Sequence, residues 1–358
     1  MKKSVTIKDV ARETGVHVAT VSRALSPNAR ALLSAEVVAK IRKTADAMGY
    51  RPNRVAAGLR TRRTMTVGVM IPDITNTLFP PIVRGMEGAL EPAGYASILV
   101  NTDNDPDREA RLFDVLMQRG VDGIIDAAVT HMNPHLEQLA KEVPIVTANR
   151  MVEGSGIPSV INDDAGGIRM MLQRLFDAGH RHICHIAGPA DLSTGIQRRE
   201  AFETAAKGLD LKPPDTAMIV AERYNEDEGS RCALAALEDS PDVTALLCAN
   251  DRLAIGAIDA IASLGLKCPE DISVTGFNDI PFLDLIPPGL TTVQILQFDV
   301  GRIAAEILLK RMTEPDARVP ETTIMPVSII DRNSIAPPKP GRGRRMRASG
   351  RSRKMKQG

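Results

Sequence analysis

Through the first fifty residues apolar positions recur at helical spacing. Ile7, Val10 and Ala11 share one face, Val21, Ala24 and Leu25 a second, and Val37, Val38, Ile41, Ala45 and Met48 a third. Thr6 followed three residues later by Asp9 predicts a capped helix start. Gly15 suits a sharp turn that needs positive φ, a third helix starts near Ser34, and Gly49 is a stop. Val18, Ala19, Thr20, Ser22 and Arg23 face outward from the second helix. Three short helices with a tight turn between the first two predict a head whose second helix can enter a major groove. From Met65 the pattern changes to short apolar strands alternating with helical periods. Strands are expected at 66–71, 96–100, 123–126, 144–147 and 159–161, with helices at 82–90 and 108–119. The alternation then restarts: helix 165–178, strand 182–186, helix 198–208, and strands 217–220, 245–248 and 272–275. Such alternation means parallel sheets covered by helices on both faces, and two successive runs mean two similar lobes.

The head also carries a recognisable signature. Val5 to Arg12, Gly15-Val16, Ala19 to Leu25, Gly49 to Asn53 and Ala56 to Leu59 resemble the lactose-repressor/galactose-repressor family of bacterial transcription regulators. The resemblance runs on through the core to about Ile335. A helix-turn-helix spacing alone also fits a plain helical hairpin; the second motif at 52–59 separates the two readings. The resemblance implies that Val18 and Ala19 project the main base-reading side chains. Thr6, Thr20, Ser22, Arg23, Tyr50 and Asn53 match positions at the DNA interface. Pro52 to Leu59 matches a hinge helix that orders on the operator, Leu59 a leucine that wedges into the minor groove, and Ala56 and Ala57 small residues allowing close approach. His17 departs from the usual serine cap of the recognition helix; its ring can accept a hydrogen bond or touch a phosphate.

The implied fold is an α/β core of two doubly wound parallel-sheet lobes, periplasmic-binding-protein-like, behind an N-terminal all-α DNA-binding domain. The expected division is a head at 1–49, a hinge at 50–64, a two-lobed core at 65–336 and a disordered basic tail at 337–358. Within the core, one lobe takes 65–161 plus 293–325 and the other 162–292 plus 326–336, the chain crossing back near Leu290 to Val293.

Composition refines this picture. The chain of 358 residues is 43% hydrophobic but only 3% aromatic, with no Trp, so its core must be built from Val, Ile, Leu, Ala and Met. The net charge of +1 conceals an asymmetry. Residues 1–65 hold fourteen Lys/Arg against four acids, residues 337–358 nine against none, and the stretch between carries −18. Basic ends on an acidic body suit polyanion binding by the ends. The tail lacks the apolar content to fold and the heptad leucines of a tetramerising coiled coil, so a homodimer is expected. Cys184, Cys232, Cys248 and Cys268 lack paired spacing and read as reduced thiols. His180, His182, Cys184 and His185 alternate across a strand rather than converging, so no metal site is expected. No apolar run of membrane-spanning length and no signal-peptide core is visible, which leads to the expectation of a cytoplasmic protein without membrane association.

Ligands of such two-lobed folds bind between lobes, at the carboxyl ends of strands. By that rule the effector candidates are Asp73, Leu78, Phe79, Asn149, Thr194, Arg198, Tyr224, Asn250, Asp251 and Asn278, with Arg150 and Asp279 beside them. Carboxylates, amides and a guanidinium over an aromatic face suit a carbohydrate. The resemblance marks Arg198, Asp251 and Asn278 as effector contacts, Asn278 standing where Asp is usual; Leu192 disfavours a purine. Asp163 and Asp164 read as helix caps. No nucleophile–base pair, phosphate loop or metalloenzyme spacing is present, so neither an enzyme nor a cofactor is expected. Together these features predict a dimeric repressor of operator DNA, set by a small carbohydrate ligand. The rival is a solute-binding protein of transport or chemotaxis, against which the DNA head argues.

Overall fold

The computed structural model describes residues 5–25, 33–51, 63–213 and 215–339. The chain forms two compact units, Met1–Thr64 and Met65–Gly358. The first holds α1 (Ile7–Thr14), α2 (Val18–Ala24) and α3 (Ala35–Ala47). Val10, Ala11, Val21, Ala24, Val38, Ile41 and Ala45 make its core. At the start of α1 the Asp9 carboxylate accepts from both the backbone N–H (2.9 Å) and the hydroxyl (2.7 Å) of Thr6. Gly15 ends the helix at φ 70°. Residues 52–62 and 340–358 lie outside the described residues, and with them the expectations for Asn53, Ala56, Ala57, Leu59 and most of the tail.

The second unit contains two six-stranded sheets, each ordered as a doubly wound α/β layer. Its first half runs β1 (Thr66–Ile71), α4 (Phe79–Leu90), β2 (Ala96–Asn101), α5 (Pro106–Gln118), β3 (Gly123–Asp126), α6 (Pro134–Leu139), β4 (Ile145–Ala148) and β5 (Ser159–Asn162). The second half runs α7 (Asp164–Asp177), β6 (Ile183–Ala187), α8 (Ser193–Gly208), β7 (Thr216–Val220), α9 (Glu226–Asp239), β8 (Ala245–Cys248), α10 (Asp251–Ser263), β9 (Ser273–Asn278) and β10 (Thr291–Ile295). The chain then returns through α11 (Gln297–Thr313) and β11 (Thr322–Met325) and crosses again into β12 (Val327–Ile330). The sheet orders are β11-β5-β4-β3-β1-β2 and β12-β10-β9-β8-β6-β7. Every pairing is parallel except β10 with β12. Central strands such as β3, β4 and β8 are buried at every position, which is why they read as continuous apolar runs.

Two sequence expectations shift. The return to the first lobe falls after Ile295 rather than at 293, because β10 pairs with β9 and belongs to the second sheet. Helix α8 begins at Ser193, so Arg198 lies in its second turn rather than at its start. Against the first sheet, α11 packs on α4 with the two backbones nearly touching. A Cβ on Gly85 would lie 2.0 Å from the Phe298 carbonyl oxygen, and one on Gly301 1.9 Å from that of Ile82. Only glycine permits this approach, and it ties the returning segment to the helix that opens beside the cleft.

Candidate ligand cavity and nucleic-acid interface

The carboxyl ends of the parallel strands from both lobes open into one cavity of about 370 Å³. From the first lobe come Pro72 and Asp73 after β1, Asp103 and Asn104 after β2, Ala128 and Thr130 after β3, and Asn149 and Arg150 after β4. From the second come Pro189, Asp191 and Leu192 after β6, Glu222 to Asn225 after β7, Asn250 after β8, and Asn278 at the end of β9. Of the sequence candidates, Asp73, Leu78, Phe79, Asn149, Thr194, Arg198, Tyr224, Asn250 and Asn278 all line it. Phe79 does so while also filling the core of the first lobe.

Asp251 does not line the cavity and is a correction. It is fully buried beneath the floor, where its carboxylate accepts from the Thr292 hydroxyl (2.5 Å) and the Ile280 N–H (3.0 Å). Burial pushes this carboxyl up to about 7 against those two hydrogen bonds. Its neighbour Asn250 faces the cavity and caps α10, its Oδ1 accepting from the Leu253 N–H at 2.9 Å. Asp163 caps α7 through the Gly166 N–H as expected, but Asp164 does not act as a cap: it is the buried partner of Arg198.

Arg198 is the best-held polar group of the cavity. Its Nε and Nη2 donate to Asp164 Oδ1 at 2.8 and 2.7 Å, its Nη1 to the Ala249 carbonyl, and its guanidinium lies 3.7 Å over the Phe277 ring. Burial pushes the Asp164 carboxyl up while the Arg198 charge pulls it down. Tyr224 donates to Thr194 Oγ1 at 3.3 Å. Its hydroxyl occupies the space that a Cβ on Gly188 would need, 2.0 Å away. Asn149, Asn104 and Asn278 stand at φ 65°, 54° and 114°. Amide side chains tolerate the first two, whereas 114° is strained, and such strain concentrates where a ligand is bound. Asn278 is 4% exposed and its Oδ1 has no partner among the described residues.

No strand-end rule marks three further lining residues, Asn76, Glu109 and Arg252. Arg252 spans the cleft. It meets Glu226 in its own lobe at 2.8 and 2.6 Å and Asp73 of the first lobe at 3.3 Å. Burial raises the Asp73 carboxyl, but the bonds from Thr75 and Arg252 outweigh it and hold it below its ordinary value. Only its position in the first turn of α10, two residues from Asn250, could have signalled Arg252. His180 and His185 are not convergent: their Nδ1 atoms meet Thr244 Oγ1 (2.9 Å) and the Leu247 carbonyl (2.8 Å) respectively. Among the described residues no group of three or more His, Cys, Asp and Glu could hold a metal ion, and no helix is long and apolar enough to cross a membrane.

In the head, His17 does cap α2, its Nδ1 accepting from the Ala19 N–H at 3.2 Å. The imidazole thus replaces the hydroxyl acceptor that the resemblance leads one to expect. Ala19 and Arg23 are exposed and Thr20 and Ser22 half-buried, forming an outward face. Val18 and Tyr50 instead pack partly against the head core, so Val18 offers only part of its side chain to a duplex.

A helix-turn-helix head followed by a two-lobed, binding-protein-like core defines a DNA-binding regulator, not an enzyme. Residues 6–53 match the model of the bacterial regulatory proteins of the lacI family, and residues 172–335 that of the periplasmic binding protein-like domain. The chain is 31% identical over 307 residues to the ribose operon repressor of Halalkalibacterium halodurans, covering 86% of this chain and 90% of that one. It therefore belongs to the lacI family of bacterial transcription regulators. Among solved structures, the lac repressor dimer bound to operator and an anti-inducer shares the fold at TM-score 0.81, with 24% identity, over 93% of this chain and all of that one. A lacI-family regulator from Enterococcus faecium with bound ribose matches at TM-score 0.67 and 29% identity, over 76% of this chain and all of that one.

Proposed function

We propose that this protein is a transcription repressor whose operator affinity is set by a carbohydrate held between its two lobes. The observation that carries this reading is the cavity itself. Both lobes build it, and its walls present amides, hydroxyls, carboxylates and guanidinium groups. Adjacent sugar hydroxyls, each donor and acceptor, suit such walls. The unpartnered Oδ1 of Asn278 takes a ligand hydroxyl, since buried acceptors are costly to leave empty. The ribose in the Enterococcus relative supports the same ligand class. A ligand that touches both lobes favours the lobe angle that permits both sets of contacts, and so shifts any equilibrium coupled to that angle.

On the DNA side, His17, Ala19, Thr20, Ser22 and Arg23 meet the major groove, Thr6 at the α1 start meets the backbone, and Val18 contributes a partly buried methyl edge. Tyr50, Asn53, Ala56, Ala57 and Leu59 belong to the hinge segment whose role rests on the resemblance. A homodimer presents two heads to a pseudo-palindromic operator. Phe282, Leu285 and Ile286 stand exposed within five residues of one another, which suits cover by a second copy. A protein reading chromosomal DNA works in the cytoplasm.

The test combines thermal shift of the full chain against sugars, polyols and nucleosides with fluorescence anisotropy on a selected operator. A sugar that raises the melting temperature and changes operator affinity is expected. Stabilisation by nucleosides alone overturns the effector reading; equal binding to operator and random duplex overturns the regulator reading.

A further inference from the structure

We propose that the effector is an anionic sugar, its carboxylate or phosphate held by Arg150, a deepening that rests on the carbohydrate reading above. Three arginines with largely buried side chains line the cavity, and two of them already hold carboxylates. Arg198 is forked on Asp164, and Arg252 bridges Glu226 and Asp73. Arg150 differs. It is 5% exposed, and its partners are neutral oxygens: the Ala128 carbonyl at 3.0 Å and Asn104 Oδ1 at 3.4 Å from both terminal nitrogens. Its Nε has no partner, and no carboxylate reaches within 4 Å of it among the described residues.

A buried guanidinium without a contacting anion is unfavourable unless something else supplies one, and here the remaining space beside it is the cavity. Three acidic groups act on it from beyond ion-pair distance: Asp126, Asp191 and Glu109. Glu109 is committed to Asn133 at 2.7 Å, and burial pushes its carboxyl up. Asp126 is fully buried, and burial together with the Glu109 charge drives its carboxyl well above the ordinary range. None of the three forms a hydrogen bond or ion pair with Arg150, whose own ionisation burial opposes. The planar fork of Arg150 matches a carboxylate or phosphate edge. Because Arg150, Asn104 and Ala128 all belong to the first lobe, the anion docks there. The hydroxyls of the same ligand then reach Arg198, Asn250 and Asn278 in the second lobe.

The experiment is titration calorimetry on the full chain with matched sets: D-glucose, D-gluconate, D-glucuronate, D-glucose 6-phosphate and D-glucosamine, and the corresponding ribose and galactose derivatives. At least one acid or phosphate is expected to bind about tenfold or more tightly than its neutral parent, the range for a charged hydrogen bond. The carboxylate and phosphate arms say which anion it is. Arg150→Gln should erase that preference, read as the ratio of the charged to the neutral affinity in the same variant, while Arg150→Lys should keep part of it. Equal or tighter binding of the neutral parents, or of the amino sugars, overturns the proposal while leaving the carbohydrate reading intact. If no sugar of any charge binds, the carbohydrate reading fails and this inference with it. The preference of the unmodified protein decides the matter even if the variants fold poorly.

Discussion

Two glycines one turn apart on α4 should respond to the same substitution with opposite signs. Gly85 is buried against α11, where an added Cβ would lie 2.0 Å from the Phe298 carbonyl oxygen. Real Cβ atoms essentially never come within 3.0 Å of a neighbour, so Gly85→Ala must part the two helices by about 1 Å. The obstacle is backbone, which cannot rotate away as a side chain would. Overpacking of this kind costs about 1–3 kcal/mol, and rigid backbone places the site at the upper end. The gain from replacing a helical glycine by alanine, roughly 0.5–1 kcal/mol, offsets only part of it. Gly88 is exposed, and a Cβ there would meet only the Phe298 ring at 3.5 Å, an ordinary contact. Gly88→Ala should therefore keep the propensity gain and stabilise by roughly 0.5–1 kcal/mol. Urea denaturation of the two variants beside the parent measures both. Because α4 begins with Phe79 on the cavity wall, Gly85→Ala should also weaken ligand binding, whereas Gly88→Ala should not. Adding Gly301→Ala to Gly85→Ala should cost less than the sum of the two, since helices already parted no longer collide. If Gly85→Ala is as stable as the parent, or the two substitutions move together, the close-packed interface is refuted.

Asp251→Asn should change how stability depends on pH. With the folded carboxyl at about 7 and its ordinary value at 3.8, folding takes up a proton between those limits, so this group's contribution falls as pH rises through them. The variant should gain on the parent by up to about 1.4 kcal/mol per pH unit within the window and run parallel outside it; parallel curves throughout exclude the buried proton. Buried His180 and His185, both pushed down to about 4, pull the other way below 6.5, so the difference between variants rather than either curve is diagnostic. Gly188→Ala should displace the Tyr224 hydroxyl and weaken sugar binding about tenfold with little change in melting temperature; unchanged affinity in calorimetry would remove Tyr224 from the site. Arg198→Ala should abolish the ligand response, but it also strands Asp164, so a loss of about 3–5 kcal/mol in denaturation is expected with it. Leu59→Ala should weaken operator binding more than random-duplex binding in anisotropy; equal losses would refute the wedge.

How much of this was legible in the sequence depends on whether local pattern carries the information. The central strands could be read because burial on both faces leaves unbroken apolar runs. The rule that ligands meet strand ends led to nine residues on the cavity wall. It failed at Asn250-Asp251, because adjacent residues at a helix start point in different directions: Asn250 turns to the cavity and Asp251 into the floor toward Thr292. It could not reach Glu109, one turn inside α5, nor distinguish Arg150 from Arg198, since the difference lies in partners distant in sequence. The crossover after Ile295 was equally hidden, because a strand's own pattern does not say which sheet it joins.

The same distinction bears on the mechanism. Three short connections join the lobes, between β5 and α7, β10 and α11, and β11 and β12, while few polar contacts span the cleft. Among the described residues these are Arg252 with Asp73 at 3.3 Å, the Met151 N–H to Ser193 Oγ at 3.1 Å, Gln197 Nε2 to Met151 Sδ at 3.5 Å, the His131 N–H to the Asp191 carbonyl at 2.8 Å and, beside the crossover, Gln297 Nε2 to the Asn278 and Asp279 carbonyls at 3.0 and 3.4 Å. Each is partly solvated or a single neutral bond, worth on the order of 1 kcal/mol or less. So small a sum leaves the lobe angle within reach of one ligand's differential affinity, whereas a broad apolar seam between the lobes would lock it. A cleft held this weakly can be reset by any ligand whose affinities for two lobe angles differ by a few kcal/mol.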